Sequence, residues 1–270
     1  MKEFKIRCSA IGKIMAGNMG LTEAQEVKFQ TLSVKEKLTE LQAKELVELQ
    51  RKKIFPELPK TAKSFCQMWL KEQLYDRQID FGSKYTEKGN TVEDESIEFI
   101  ARQLGLSELD IMSGSFLKNY EFFENEFMCG TPDVIQPEYV VDAKNPWNFS
   151  TFPLFETELP EEDYYWQAQG YMNLTGKSHY KLIYTLMNTP EMLIESEMRK
   201  DCYRNGIPFE EADYQVYYEN MTYDKIPDNL RIKIFEIERN DSEILAINER
   251  VKECRKYIET VIKQFPQFIQ

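Results

Sequence analysis

The sequence predicts an α/β fold, because amphipathic helical patterns and strand patterns are both present along one chain. Apolar residues recur at helical spacing in several long tracts, and a proline turn flanked by apolar runs marks a β-hairpin. The predicted helices are 22–53, 62–79, 89–105, 161–175 and the C-terminal segment from 241, and the predicted strands are the hairpin 127–144, 178–188 and 230–241.

Composition limits the possible functions. The chain has 270 residues and is 42% hydrophobic, so a sizeable core is expected. Its formal charge of −12 disfavours a protein that coats nucleic acid non-specifically. Its 5 cysteines form no CxxC pair and predict reduced thiols, and a single histidine excludes zinc clusters of the histidine type. No signal peptide and no membrane-length apolar run is seen, which predicts a soluble intracellular protein.

The N-terminal segment 4–17 predicts a short extended stretch and a small helix capped by Ser9, with Arg7 just ahead of it. Two interpretations stay open, a simple cap beside a solvated arginine or a pocket for a terminal phosphate.

The tract 22–53 predicts one or two helices that form an inserted arm. The basic run 51–63 is equally consistent with a solvated linker and with contacts to a phosphate backbone.

The hairpin within 127–144 carries the residues that indicate chemistry. If Pro137 and Glu138 form its two-residue loop, Val134 pairs with Val141 and Asp133 lies opposite Asp142. Two opposed carboxylates need a proton or a cation between them, and a divalent metal is the obvious cation. Lys144 lies on the same face as Asp142, where it can orient or deprotonate a water. The plain alternative is a surface hairpin with a cross-strand ion pair.

Two helices supply further candidates. Glu93 lies near the first turn of helix 89–105, where a helix dipole alone explains an acid, yet a third oxygen ligand is what Mg²⁺ uses. Asp94 and Glu95 compete with it for that role. On the helix ended by Gly176, Gln167 and Tyr171 share a face, whereas Gln169 lies on another side. The last helix is predicted to be capped by Asp241 or Ser242.

These motifs together resemble the phage lambda exonuclease and YqaJ-type viral recombinase branch of the PD-(D/E)xK nuclease superfamily. The matching stretches occur in the same order and are RCSAIGKIM, KGNTVEDESIEFI, GTPDVI, VVDAKNPW, YYWQAQGYMNLTG and IFEIERND. The resemblance implies a restriction-endonuclease-like core, with a central mixed β-sheet flanked by helices. It also implies one nuclease domain over 1–270, with 22–80 as a helical insertion or arm.

The resemblance assigns roles to individual residues. It implies that Glu93, Asp133, Asp142 and the Ala143 carbonyl bind Mg²⁺, for which Mn²⁺ can substitute, and that Lys144 helps to activate the attacking water. Further roles are implied for two groups of residues: Gln167 and Tyr171 hold the scissile strand and order the site, and Arg7, Ser9 and Thr131 contact phosphate.

Two positions depart from the family pattern. The family usually has glutamate where this chain has Asp142, which is a shorter side chain. Lambda-like members also place an arginine several residues after the lysine to hold the terminal phosphate, whereas Asn148, Ser150 and Thr151 stand in that loop here. Strict dependence on a 5′-phosphate is therefore not implied.

The expected function is a metal-dependent deoxyribonuclease, acting as a 5′→3′ exonuclease on duplex DNA ends in phage-type homologous recombination. A single-strand annealing protein is the implied partner, a ring-shaped homo-oligomer the implied assembly and the cytoplasm of a bacterial host the implied location. Two alternatives remain. One is an endonuclease or RecB-like accessory nuclease, and the other is a non-catalytic DNA- or protein-binding module on the same fold.

Overall fold

The computed structural model describes residues 2–17, 19–54, 56–78 and 84–265. Its helices are α1 (Ile11–Met15), α2 (Glu23–Ser33), α3 (Glu40–Ile54), α4 (Lys60–Tyr75), α5 (Lys84–Gln103), α6 (Glu108–Met112), α7 (Glu162–Thr175), α8 (Glu191–Asn205), α9 (Tyr214–Met221) and α10 (Asp241–Gln264). Its strands are β1 (Ile6–Arg7), β2 (Phe123–Glu124), β3 (Met128–Gly130), β4 (Val134–Ile135), β5 (Tyr139–Lys144), β6 (His179–Thr185) and β7 (Ile232–Glu238).

The chain divides into two compact units. The first comprises Met1–Ile79, Glu124–Cys129 and Asn240–Gln270, and the second comprises Asp80–Phe123 and Gly130–Arg239. The single domain expected over 1–270 stays a prediction. No helix of the described residues is long and apolar enough to cross a membrane.

The first unit is mainly helical. Helices α1, α4 and α10 pack against one another, and α2 packs on α3, which agrees with the predicted helical tract. Arg250 of α10 donates to the Ile14 carbonyl, so it satisfies an acceptor at the end of α1. A small sheet has the order β1-β3-β2, with β1 parallel to β3. All 5 cysteines of the chain are free thiols, as predicted.

Three predicted helix starts are wrong. Ser9 lies inside a 3₁₀ turn, Cys8–Ala10, and α1 then begins without a side-chain cap, because the chain turns directly after β1. The last helix is capped by Asn240, whose Oδ1 accepts from the backbone of Ser242 and Glu243; asparagine is as good a cap as the predicted residues. Helix α5 begins before Gly89, since one interior glycine costs a helix only about 1 kcal/mol.

The second unit is built on a four-stranded mixed sheet with the order β4-β5-β6-β7, which confirms the predicted fold class. Strands β5 and β6 run parallel, and the other two pairings are antiparallel. Helix α7 makes the crossover that two parallel strands need. One face of the sheet packs on α5 through a core of fully or nearly fully buried residues, which are Ile97, Ile100, Ala101, Phe116, Val134, Val141 and Ile183.

Candidate active site

The hairpin forms as predicted. Val134 pairs with Val141, and the Gln136 N–H donates to the Tyr139 carbonyl at 2.8 Å across the Pro137–Glu138 turn. Apolar Val134 and Val141 are both fully buried in the core against α5, and a slip of one residue would move them to the opposite face of the sheet. The turn and the core contacts together determine which polar side chains of the hairpin come to one end of β5.

Asp133 lies just before β4 and outside the ladder, so it does not pair directly with Asp142 as expected. Its backbone carbonyl instead accepts from the Asn119 N–H at 2.6 Å. Its carboxylate Oδ2 accepts from the Ala143 N–H at 2.8 Å, which holds the side chain against β5. The two aspartates are nevertheless neighbours, because Asp133 is bonded to the residue directly after Asp142, and the negative charge of Asp142 acts to raise the pKa of Asp133.

Asp142 is almost completely buried, and its two oxygens have different partners. Oδ1 accepts from Gln167 Nε2 at 2.8 Å, whereas Oδ2 lies 2.5 Å from Lys144 Nζ. Oδ2 accepts no counted hydrogen bond from the described residues, so the Lys144 ammonium is its charge partner. A buried carboxylate is costly unless a cation compensates it, and Lys144 supplies one such charge for the two aspartates.

The ionisation of the pair also favours a cation. Burial, followed by the negative charge of Asp142, raises the pKa of Asp133 to about 8, although Lys144 and the Ala143 N–H act in the opposite direction. Burial acts to lower the pKa of Lys144, but Asp142 and Asp133 raise it above its ordinary value. One lysine does not fully compensate two buried carboxylates, and the donor set therefore fits a divalent metal ion.

Glu93 lies on α5 and is bound to a lysine. Its Oε2 is 3.0 Å from Lys118 Nζ, which also contacts Asp94 Oδ1 at 3.2 Å. Glu93 is near enough for its charge to contribute to the raised pKa of Asp133. In the described part of the chain, no three His, Cys, Asp or Glu side chains are grouped so that they hold a metal. Glu93 thus contacts Lys118 and does not complete a group of three carboxylates with Asp133 and Asp142.

Helix α7 presents the residues that line the other side of Asp142. Gln167 and Tyr171 share a face as predicted, and the Tyr171 hydroxyl donates to the Thr131 carbonyl at 3.1 Å. Tyr171 also stacks on Tyr180, with ring centroids 6.4 Å apart. Gln169 points elsewhere and donates to the Glu238 carbonyl at 2.9 Å. The shared face thus orients Asp142 and supports the segment that precedes Asp133.

Sequence reasoning missed two neighbours of the site. The ring of Tyr164 lies under Lys144, with Nζ 5.1 Å from its centroid, and this residue is three positions before Gln167 on the same helical face. That spacing was a usable signal. Lys118 had no such signal, because it lies between α6 and β2, where no helical or strand spacing marks it.

Arg7 and Ser9 belong to the first unit, whereas the other predicted site residues belong to the second. Arg7 ends β1, where its register partner is Cys129, and its side chain is exposed. Ser9 is exposed in the turn that follows. Their contact with phosphate stays a prediction.

Comparisons with known proteins identify the fold. No protein-family model matches the chain, and no curated protein matches its sequence. The structure is similar to a phage-related exonuclease from Haemophilus somnus 129PT, with a TM-score of 0.67, 25% identity and 97% of each chain covered. It is also similar to an alkaline exonuclease from Laribacter hongkongensis, with a TM-score of 0.55, 13% identity and coverage of 97% of this chain and 92% of the other.

A second structure of the Laribacter enzyme, in complex with dAMP, gives the same TM-score of 0.55. These likenesses extend over nearly the whole chain, beyond the core that carries the Asp133, Asp142 and Lys144 cluster. The chain therefore has the fold of the phage-related and alkaline exonucleases, the lambda exonuclease-like and YqaJ-type branch of the PD-(D/E)xK nucleases.

Proposed function

We propose that the chain is a metal-dependent deoxyribonuclease that degrades duplex DNA from its ends in the 5′→3′ direction during phage-type recombination. The observation that supports this most strongly is the cluster of Asp133, Asp142 and Lys144 at one end of β5. Its two buried carboxylates have too little positive charge around them, and they occur on a fold shared with exonucleases. A structural ion pair alone would not need the second carboxylate.

Asp133, Asp142 and the Ala143 carbonyl would hold Mg²⁺ or Mn²⁺, with Glu93 added once it leaves Lys118. The bound ion supplies Lewis acidity and positive charge for the negative charge that develops on the phosphoryl oxygens. These ligands come from α5, β5 and the residue before β4. Oxygen ligands from separate elements are what a hard cation uses.

Lys144 would be a charged hydrogen-bond donor of the site. Its ammonium group is held between the Asp142 carboxylate and the Tyr164 ring, so its position is fixed before substrate binds. Because its pKa is raised, Lys144 is charged at neutral pH and donates hydrogen bonds. It therefore orients the attacking water and stabilises a phosphoryl oxygen.

Other residues orient the reacting groups. Gln167 fixes one Asp142 oxygen, and the other oxygen, which faces Lys144, would be shared between that lysine and the cation. Tyr171 supports the backbone at Thr131, whose side chain would bind phosphate. Arg7 and Ser9 would contact the 5′-terminal phosphate. The product, a 3′ single-stranded overhang, would pass to a single-strand annealing protein, and the active assembly would be a ring-shaped homo-oligomer.

The test compares linear duplex DNA with a covalently closed circle, in Mg²⁺ and in EDTA. We expect Mg²⁺-dependent loss of the linear DNA alone, starting from its 5′ ends. Asp133→Asn and Lys144→Met should each lower the rate by about a hundredfold or more, since each removes charge that acts on the transition state. Lys181→Met is the matched control, because Lys181 forms a similar ion pair with Glu236 on the next strand, at 2.9 Å.

Each other outcome identifies an alternative. Cleavage of the circle would indicate an endonuclease. No cleavage in Mg²⁺ or in Mn²⁺, together with no Mn²⁺ binding in calorimetry, would indicate a non-catalytic binding module. Full activity of Asp133→Asn or Lys144→Met would show that the site is assigned wrongly.

A further inference from the structure

A cavity of about 520 Å³ opens beside Lys144 in the second unit. Tyr164 forms part of its wall and also lies under the Lys144 ammonium, so the cavity adjoins the proposed hydrolytic centre. The segment directly after β5 forms another wall, which includes Asn145, Trp147, Ser150 and Phe152. Its volume lies in the range of small-molecule pockets.

The walls have the chemistry of a site for a flat, neutral, polar ring. Four aromatic side chains, Trp147, Phe152, Tyr164 and Tyr184, line the cavity together with the amide of Asn145 and the hydroxyls of Ser150 and Thr151. Aromatic rings stack on nucleobases, and amides and hydroxyls pair with base edges. Trp147 and Phe152 are largely buried, so these walls are preformed.

The charges of the side chains that line the cavity argue against phosphate as its ligand. Its acidic side chains are Glu156 and Glu161, and none of the described residues that line it is lysine or arginine. Phosphate binding requires arginine, lysine or converging N–H donors, and two carboxylates would repel it. The same carboxylates accept hydrogen bonds from the amino groups of adenine, cytosine or guanine.

We propose that this cavity binds the nucleobase of the nucleotide next to the scissile phosphodiester. The proposal rests on the proposed function, since it names what the same site recognises in DNA. The base contact then adds to any contact with the terminal phosphate, so a nucleotide without that phosphate still binds.

Calorimetric titration of the whole chain in EDTA tests the cavity without any need for catalysis. The probes are deoxyadenosine, dAMP, 2-deoxyribose 5-phosphate and inorganic phosphate. We expect deoxyadenosine and dAMP to bind with similar affinity, and the two probes without a base to bind about tenfold more weakly or worse, since stacking contributes most of the affinity. Tight binding of deoxyribose 5-phosphate, or no binding of deoxyadenosine, would overturn the proposal.

Substitutions at two phenylalanines of one loop test where deoxyadenosine binds. Phe152→Leu keeps an apolar side chain but removes the ring from the wall, and it should weaken deoxyadenosine binding about fivefold or more. Phe149→Leu is the matched control, because Phe149 is 62% exposed and does not line this cavity. Equal losses in both variants would contradict the location. Thermal unfolding confirms that each variant is folded.

The nuclease assay separates the two proposals. Binding of deoxyadenosine by a chain that cleaves no DNA would refute the nuclease function and leave the base site in place. Metal-dependent cleavage without deoxyadenosine binding would refute the base site alone.

Discussion

Lys118 controls how Glu93 can be used. The Lys118 ammonium contacts Glu93 and Asp94, and both Glu93 and Lys118 are about three-quarters buried, with exposed side-chain fractions of 23% and 24%. A metal that binds Glu93 must displace this lysine. The ion pair therefore opposes metal binding by its own free energy, which for partly exposed pairs is up to about 1 kcal/mol.

Lys118→Met should therefore tighten Mn²⁺ binding by about two- to fivefold, because Glu93 no longer has to break an ion pair. Calorimetric titration of the variant and the wild type measures this directly. Glu93→Gln is the partner variant, in which binding should weaken whether or not Lys118 is present. Weaker Mn²⁺ binding by Lys118→Met would show that Lys118 supports the site instead of competing for it.

At the level of elements, α5 is tied to the residues that follow β5. The Lys88 side chain is fully buried on α5, and its Nζ donates to the Pro146 and Trp147 carbonyls at 3.0 and 2.9 Å. Burial lowers the pKa of Lys88 to about 8. A second link runs from Ser96 through Thr185 to Asn145, with both contacts at 2.8 Å. The helix of Glu93 and the strand of Lys144 are thus held in one arrangement.

The buried lysine predicts a pH dependence of stability. Its pKa is lower in the folded chain, about 8, than its ordinary value of 10.5, so between these values the unfolded chain binds the extra proton. The free energy of unfolding therefore rises as the pH increases through this range, by an upper limit of roughly 3 kcal/mol. A neutral amine still has two N–H groups for the two carbonyls, so both hydrogen bonds persist.

Urea unfolding at several pH values between about 7 and 10 measures this effect. The stability of the wild type relative to Lys88→Met should increase across the range. Lys200→Met, at an exposed lysine, is the control and should leave the pH dependence of the wild type unchanged. A constant difference between the wild type and Lys88→Met would contradict the assignment.

The elements also show what sequence can predict. Pro137 and the apolar alternation around it are local signals, so the hairpin register and the shared face of Gln167 and Tyr171 were predictable. The contacts of Lys118 and Lys88 depend on how distant segments pack, and no local pattern encodes them. The Asp133 carboxylate likewise bonds to the Ala143 N–H, since β4 begins only at Val134, which turn chemistry alone does not indicate.

At the scale of the whole molecule, the charge of −12 opposes binding to DNA. Even the basic run 51–63 is partly neutralised within the first unit. Arg51 and Lys63 both contact Glu57, at 3.2 and 2.6 Å, and Lys53 contacts Glu26 at 2.6 Å. These pairs favour a structural role for much of the run over direct contacts to phosphates.

Duplex binding should therefore depend on divalent ions. Lys144→Met, which keeps the proposed metal ligands but should cleave slowly, is suited to fluorescence anisotropy with labelled duplex DNA. We expect its affinity for the duplex to be about tenfold higher or more in Mg²⁺ than in EDTA at matched ionic strength. If basic side chains alone contacted the phosphates, added cations would screen those contacts and weaken binding instead. Equal affinity in both buffers would show that basic side chains are sufficient.

The crossover from β5 through α7 to β6 affects how the sequence of this protein can change during evolution. Lys144, Asp142 and Gln167 lie within the single stretch 139–185, and the cavity beside Lys144 is also lined by residues of this stretch. A contiguous βαβ segment keeps these groups together on one stretch of chain. Insertions, deletions and exchanges of sequence before or after it can accumulate over evolution while its reactive lysine, aspartate and glutamine are inherited as a block.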